Sequence, residues 1–175
     1  NDETMSLPAA VPIQVWFVLQ QHSLVLDWAG PAEALRIANQ LLRAAGQPER
    51  FQIRFAGAAP QATGSVGVTL ANLEPLPVHW NGPCWLVLVG LPGSTIAVDN
   101  DEAQALLHWL RGLRLARGRL ELVTICAGTL LAAHAGLLAG RRATTHHHHL
   151  DELATVEPRC DVVANRVFVV DPPLY

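Results

Sequence analysis

The stretch from Leu120 to Gly140, L-E-L-V-T-I-C-A-G-T-L-L-A-A-H-A-G-L-L-A-G, decides how the chain is read. It opens with Leu122-Val123-Thr124-Ile125, short, apolar and β-branched, the pattern of a strand buried on both faces. At Cys126 the pattern changes without a loop. Ala127, Gly128, Leu130, Leu131, Ala132, Ala133, Ala135, Leu137 and Leu138 follow at helical length, closed by Gly140. A helix apolar nearly all round belongs in a core. Cys126 is therefore expected on a tight strand-to-helix turn, where only small neighbours such as Ala127 and Gly128 fit. That is nucleophile-elbow geometry with a thiol in place of a hydroxyl. It would put the sulfur at a helix N-terminus, where backbone N–H groups favour the thiolate, so Cys126 is expected to be the most acidic of the thiols. The alternative is an ordinary buried cysteine, packing as a small hydrophobe.

The totals bound the problem. The 175 residues suit one domain, read here as residues 11–175, with residues 1–10 a disordered tail or expression remnant. Half of the residues are apolar and 15% are charged, enough for a large core and far from a disordered composition. The net charge of −3 gives no electrostatic footprint for nucleic acid. All basic residues are arginines. The odd count of cysteines (Cys84, Cys126, Cys160) and the lack of a visible secretory leader point to a reducing cytoplasm. No apolar run reaches membrane-spanning length.

In chain order, Ile13–Leu19 reads as a first strand, with Val25-Leu26 soon after. Pro31 suits the first turn of a helix running to about Ala45, with Ala34, Leu35, Ala38, Leu41 and Leu42 on one face. Phe51–Ala56 reads as a strand, Gly64–Leu70 as a shorter strand or hairpin arm, and Cys84–Val89 as another buried strand. Asp99 and Glu102 resemble a capping box for a helix ended by Gly118. After Gly140 a short strand ending at His146, a helix to about Ala154, and a hairpin of Val162-Val163 with Val167–Val170 complete the pattern. Alternating strands and helices mean an α/β domain with a mainly parallel sheet. Sites in such sheets form at the carboxyl ends of the strands, where Asp27, Gly93-Ser94 and Cys126 converge and His146 can join them.

The combination L-D-W-A-G-P, V-G-L-P-G, I-C-A-G and G-L-L-A-G-R-R-A-T-T-H resembles the ThiJ/PfpI superfamily, with its class I glutamine-amidotransferase-like fold. More narrowly it resembles the amino-terminal domain of AraC-type transcriptional regulators, over roughly Val11–Tyr175. Isocyanide hydratase-like enzymes share much of the pattern. The resemblance implies a flavodoxin-like three-layer α/β sandwich with an elbow cysteine. It assigns Cys126 to the elbow, Asp27 to the carboxylate approaching it, the Gly93-Ser94 loop to backbone donors, and His146 to a nearby histidine. A protonated Asp27 would donate a hydrogen bond to a thiolate, and backbone N–H groups would hold an anionic atom. Asp27 also suits an N-cap for the following helix. Trp28 is expected at the pocket mouth, and Ala127 lines the site beside the thiol.

Departures from the family pattern weigh against catalysis. Protease-like relatives carry histidine directly after the cysteine and hydratase-like ones usually threonine, where this chain has Ala127. His134 cannot substitute, since eight helical residues carry it about 12 Å along the axis. The residue after the T-T-H histidine, tryptophan in many relatives, is His147 here. Four consecutive imidazoles, His146–His149, would point around a helix and could not all reach one ion, so no metal and no cofactor is expected. Of the tryptophans, Trp16 and Trp109 are candidates for a dimer interface or the core. Arg111, Arg114, Arg117 and Arg119 are expected as a solvated face on or just past one helix.

The expected function is a ligand-sensing and dimerisation domain of an AraC-type regulator, cytoplasmic and homodimeric. An unknown small molecule would bind around Cys126, and DNA would be contacted only through a domain missing from this chain. The resemblance also places a last strand and helix after its end. The alternative is a cysteine-dependent hydratase or hydrolase, with Cys126, Asp27 and His146 catalytic.

Overall fold

Strands rich in branched apolar residues alternate with helices through most of the chain, and their two faces carry different cores. The computed structural model describes residues 10–175, so the expected tail lies, but for Ala10, outside the described residues. The elements of the main sheet are Ile13–Val18 (β1), Phe51–Gly57 (β2), Glu74–Pro75 (β5), Cys84–Leu88 (β6) and Leu120–Thr124 (β7). A small antiparallel hairpin joins Ala62–Thr63 (β3) to Thr69–Leu70 (β4), and Arg142–Ala143 (β8) pairs with Asp161–Val162 (β9) in parallel. The helices are Val25–Ala44 (α1), Asp101–Arg111 (α2), Gly128–His134 (α3) and Leu150–Val156 (α4), the last preceded by a 3-10 turn over His147–His149. The sheet runs β5-β2-β1-β6-β7, with every pair parallel.

Period-two alternation sorts side chains into two layers. Val15 and Phe17 of β1 with Val87 and Val89 form one core, against which Trp28, Ala32 and Leu35 of α1 pack. Trp16, Val18, Leu86, Leu88 and Leu122 face the other way and meet Leu106, Leu107 and Leu110 of α2, Leu130 and Leu131 of α3, and Leu153 of α4. Each such side chain removed from water contributes roughly 1.5–3 kcal/mol. The result is the expected three-layer α/β sandwich of flavodoxin-like type. The chain end adds to it: Leu122 and Thr124 donate N–H groups to the carbonyls of Pro173 and Tyr175, and Tyr175 donates back to Leu122, each at 2.8 Å.

Several boundaries differ from expectation, for identifiable reasons. α1 begins at Val25, so Pro31 lies inside the helix and Asp27 belongs to its first turn rather than capping it. The earlier start turns the buried face to Trp28, Ala32 and Leu35, leaving Ala34 and Leu41 exposed. Asn39, buried on α1, donates to the Phe51 carbonyl at 2.7 Å and accepts the N–H groups of Arg50 and Phe51 at 3.0 Å, pinning the helix to β2. The cap of α2 is Asn100, which accepts the Ala103 N–H at 2.9 Å, while Glu102 instead accepts the Gln21 N–H. That helix stops at Arg111 with Gly112, although Leu113 continues its apolar spacing, so of the four arginines only Arg111 is helical. α3 ends at His134 rather than near Gly140. β8 ends at Ala143, short of His146, and Val167–Val170 form no strand. Trp16 is 4% exposed and belongs to the core, with Arg54 stacked 4.0 Å above its ring.

Candidate functional site

Three chain segments meet where β1, β6 and β7 end. Asp27, in the first turn of α1, accepts the Gly90 N–H just past β6 at 2.9 Å. A Cβ on Gly90 would stand 2.9 Å from that same carboxylate oxygen and 3.2 Å from the Ala127 nitrogen. Only glycine lets the three segments approach this closely. Cys126 sits between the end of β7 and the start of α3 with φ +54°, a left-handed conformation that a non-glycine residue adopts at a cost of roughly 1–3 kcal/mol. The surroundings impose it. Ile125 donates to the Leu88 carbonyl at 2.9 Å, and α3 presses so tightly on β6 that a Cβ on Gly128 would lie 2.4 Å from the same oxygen.

The strand-to-helix turn read in the sequence is thus present, and threonines hold it. Thr145 donates its hydroxyl to the Cys126 carbonyl at 2.9 Å. Buried Thr129 donates to the Thr144 carbonyl at 3.0 Å and lies 3.0 Å from the Thr124 hydroxyl. These bonds bring the T-T-H segment against the turn.

The electrostatics run against an acidic thiol. Burial pushes the Cys126 thiol up; the Ala127 N–H opposes this, and the Asp27 carboxylate adds to it. Desolvation disfavours the charged form, and a seven-residue helix offers little dipole to offset it. The expected depression is therefore reversed, and Cys84 and Cys160 are also raised, first by burial. Burial likewise holds the Asp27 carboxyl above its ordinary value, against the Gly90 N–H. Asp27 is bonded to Gly90, and among the described residues it makes no hydrogen bond to Cys126.

Cys126 and His146 line two adjoining cavities. One, of about 220 Å³, is walled by Thr124, Arg142, Thr145, Phe168 and Tyr175 among others. The other, of about 230 Å³, is walled by Leu24, Leu91, Pro92, Gly93, His148 and His149. Gly93, at φ +120°, reaches the second, while Ser94 is exposed beside it and lines neither. Ala127 is buried behind the thiol. Trp28 is not at the mouth: it packs edge-on against Phe55 at 5.6 Å in the opposite core layer. His146 shares both cavities with the thiol, but its Nδ1 accepts the His148 N–H at 3.3 Å. Burial and then its three histidine neighbours hold it below the usual imidazole value.

Sequence reading passed over Thr124, Thr145, Arg142 and Tyr175. In the sequence, the threonine of T-T-H carries no signal beyond marking its histidine. The four histidines also divide differently from expectation. His149 is buried, its Nδ1 2.6 Å from Glu152, which also accepts the Ile96 N–H. His146, His147 and His148 are less buried and have one ring nitrogen from each within 4.8 Å of the others.

No family model matches the chain. Among curated proteins, the HTH-type transcriptional regulator CdhR of Pseudomonas aeruginosa is 30% identical over 161 residues, 90% of this chain and 44% of that regulator. The chain thus spans under half the length of that relative. An uncharacterized protein in the cpoL 5′ region of Streptomyces lividans is 32% identical over 157 residues, 86% of this chain and 97% of that protein. Among solved structures, an AraC family transcriptional regulator from Pseudomonas putida aligns with TM-score 0.69 at 18% identity, over 93% of this chain and 82% of that one. A ThiJ/PfpI family protein from Pseudomonas syringae aligns with TM-score 0.69 at 20% identity, over 99% and 65%. The chain has the fold of ThiJ/PfpI family proteins. In sequence the chain is similar to part of the regulator CdhR, and it shares its fold with the AraC family regulator from Pseudomonas putida.

Proposed function

We propose that this domain senses a small molecule and dimerises as part of an AraC-type transcriptional regulator, in the cytoplasm, with DNA contacted through a domain outside this sequence. The observation that carries the reading is the match to CdhR, in which 90% of this chain corresponds to 44% of a regulator. The site supports binding over turnover. Ala127 offers no base beside the thiol, burial keeps that thiol protonated near neutral pH, and His146 is engaged with backbone. The cavities beside Cys126 have room for a small ligand, with Thr145 and Arg142 as polar contacts. Self-association is supported by α1, where Leu26, Ala34, Ile37 and Leu41 fall along one exposed stripe at helical spacing.

A cysteine-dependent hydratase or hydrolase is the second reading, favoured by the thiol on its left-handed turn with the Ala127 N–H facing the sulfur. Assays on peptide, ester, amide and isocyanide substrates separate the two, with Cys126→Ala as control. The regulator reading expects rates equal to the control, and turnover that vanishes in Cys126→Ala overturns it.

A further inference from the structure

The His146–His149 run behaves as two units, and its first three residues form a cluster unused by the reading above. His146 has extended backbone (φ −54°, ψ 137°) and precedes the 3-10 turn of His147–His149. The change of backbone course at His146 removes the divergence that four histidines on one α-helix would show. Ring centroids lie 4.3 Å apart for His146 and His147, 4.0 Å for His147 and His148, and 5.0 Å for His146 and His148. One ring nitrogen from each of the three lies within 4.8 Å of the other two. Bound to one ion at about 2.0–2.1 Å each, such nitrogens need close by only an ångström or so through side-chain rotation.

We propose that His146, His147 and His148 bind one divalent transition-metal ion of the zinc, nickel, cobalt or copper group. Three neutral imidazoles suit these ions and leave a coordination position open for water or a small-molecule donor. The ion would displace the long 3.3 Å contact from the His148 N–H to His146 Nδ1. His147 and His148 are exposed, which gives the ion a way in. His146 and His148 also line the cavity that holds Cys126, so the ion would sit at the rim of that cavity. His149 takes no part, because it is buried against Glu152. That division separates a built site from a flexible histidine tract, in which all four residues would count alike.

The experiment is calorimetric titration of the metal-free protein with Zn2+, repeated with Co2+ and followed by visible absorption. One ion per chain is expected. His146→Ala, His147→Ala and His148→Ala should each weaken binding by roughly tenfold or more, while His149→Gln stays within about twofold of the parent. Equal losses in all four variants, or undiminished binding in the triple alanine variant, would overturn the proposal. Should His149→Gln fail to fold, titration of the urea-unfolded chain decides. A preformed site loses roughly tenfold or more on unfolding, and unchanged affinity would mean a tract.

Discussion

At Cys126 two local effects compete, and burial wins over the start of α3. The Asp27 charge adds to the raised thiol, which gives a test. Asp27→Asn removes the like charge, so Cys126 should alkylate faster at neutral pH, while Cys160, raised by burial and then by Glu157 and Asp161, should not change. Rates mapped by mass spectrometry across a pH series check this, and equal rates in parent and variant would count against it. Asp27 also tilts stability. Its carboxyl is raised in the fold, so the folded state holds the proton more tightly, and stability falls as pH rises from the ordinary carboxylate range through the raised value. Asp27→Asn should remove that dependence from thermal melts between mildly acidic and neutral pH. The meeting of Asp27 and Cys126 was legible in the sequence, because strand ends in a parallel sheet converge by topology. The sign of the thiol shift was not, since helix starts are visible in a sequence and desolvation is not.

At the scale of elements, two helical glycines make opposite demands. Gly30 lies inside α1, where an added Cβ would meet only Leu26 Cδ1, at 4.0 Å, so Gly30→Ala should stabilise the domain by roughly 0.5–1 kcal/mol. A Cβ at Gly128 would stand 2.4 Å from the Leu88 carbonyl oxygen, so Gly128→Ala should destabilise by about 2 kcal/mol or more, as overpacking outweighs helix propensity. Urea melts of the two variants, read against the parent, should move in opposite directions. β1, β6 and β7 were readable because strands buried on both faces leave continuous apolar runs. α1 was misplaced because Pro31 looked like a start signal. Its missing N–H is tolerated inside the helix, and only the packing of Trp28, Ala32 and Leu35 shows where the buried face lies. Val167–Val170 had the composition of a strand and no partner to pair with; Val167 is 98% and Phe168 74% exposed. The histidine run has a helical pattern in the sequence, and the extended residue that groups three of its rings leaves no mark in composition.

For the whole molecule, the proposed self-association would use the exposed seam on α1 rather than Trp16. Leu41 is 65% and Ile37 44% exposed, whereas Trp16 is core. Light scattering should give a dimer for the parent and a monomer for Ile37→Asp combined with Leu41→Asp, with the melting temperature little changed. A dimer that survives both substitutions would move the interface elsewhere. Twelve arginines against fifteen carboxylates leave little to neutralise phosphates, so random duplex should not shift at low salt with micromolar protein. The charge balance was plain in the sequence; the seam needed the true start of α1 to come into register.

The pairing of Pro173–Tyr175 along β7 bears on how the domain behaves in a crowded solution. Without it, β7 would present the N–H groups of Leu122 and Thr124 as open donors along the rim of the parallel sheet. Such a rim templates foreign strands and starts aggregates. Pro173–Tyr175 take up those donors, a selvedge along this stretch of β7.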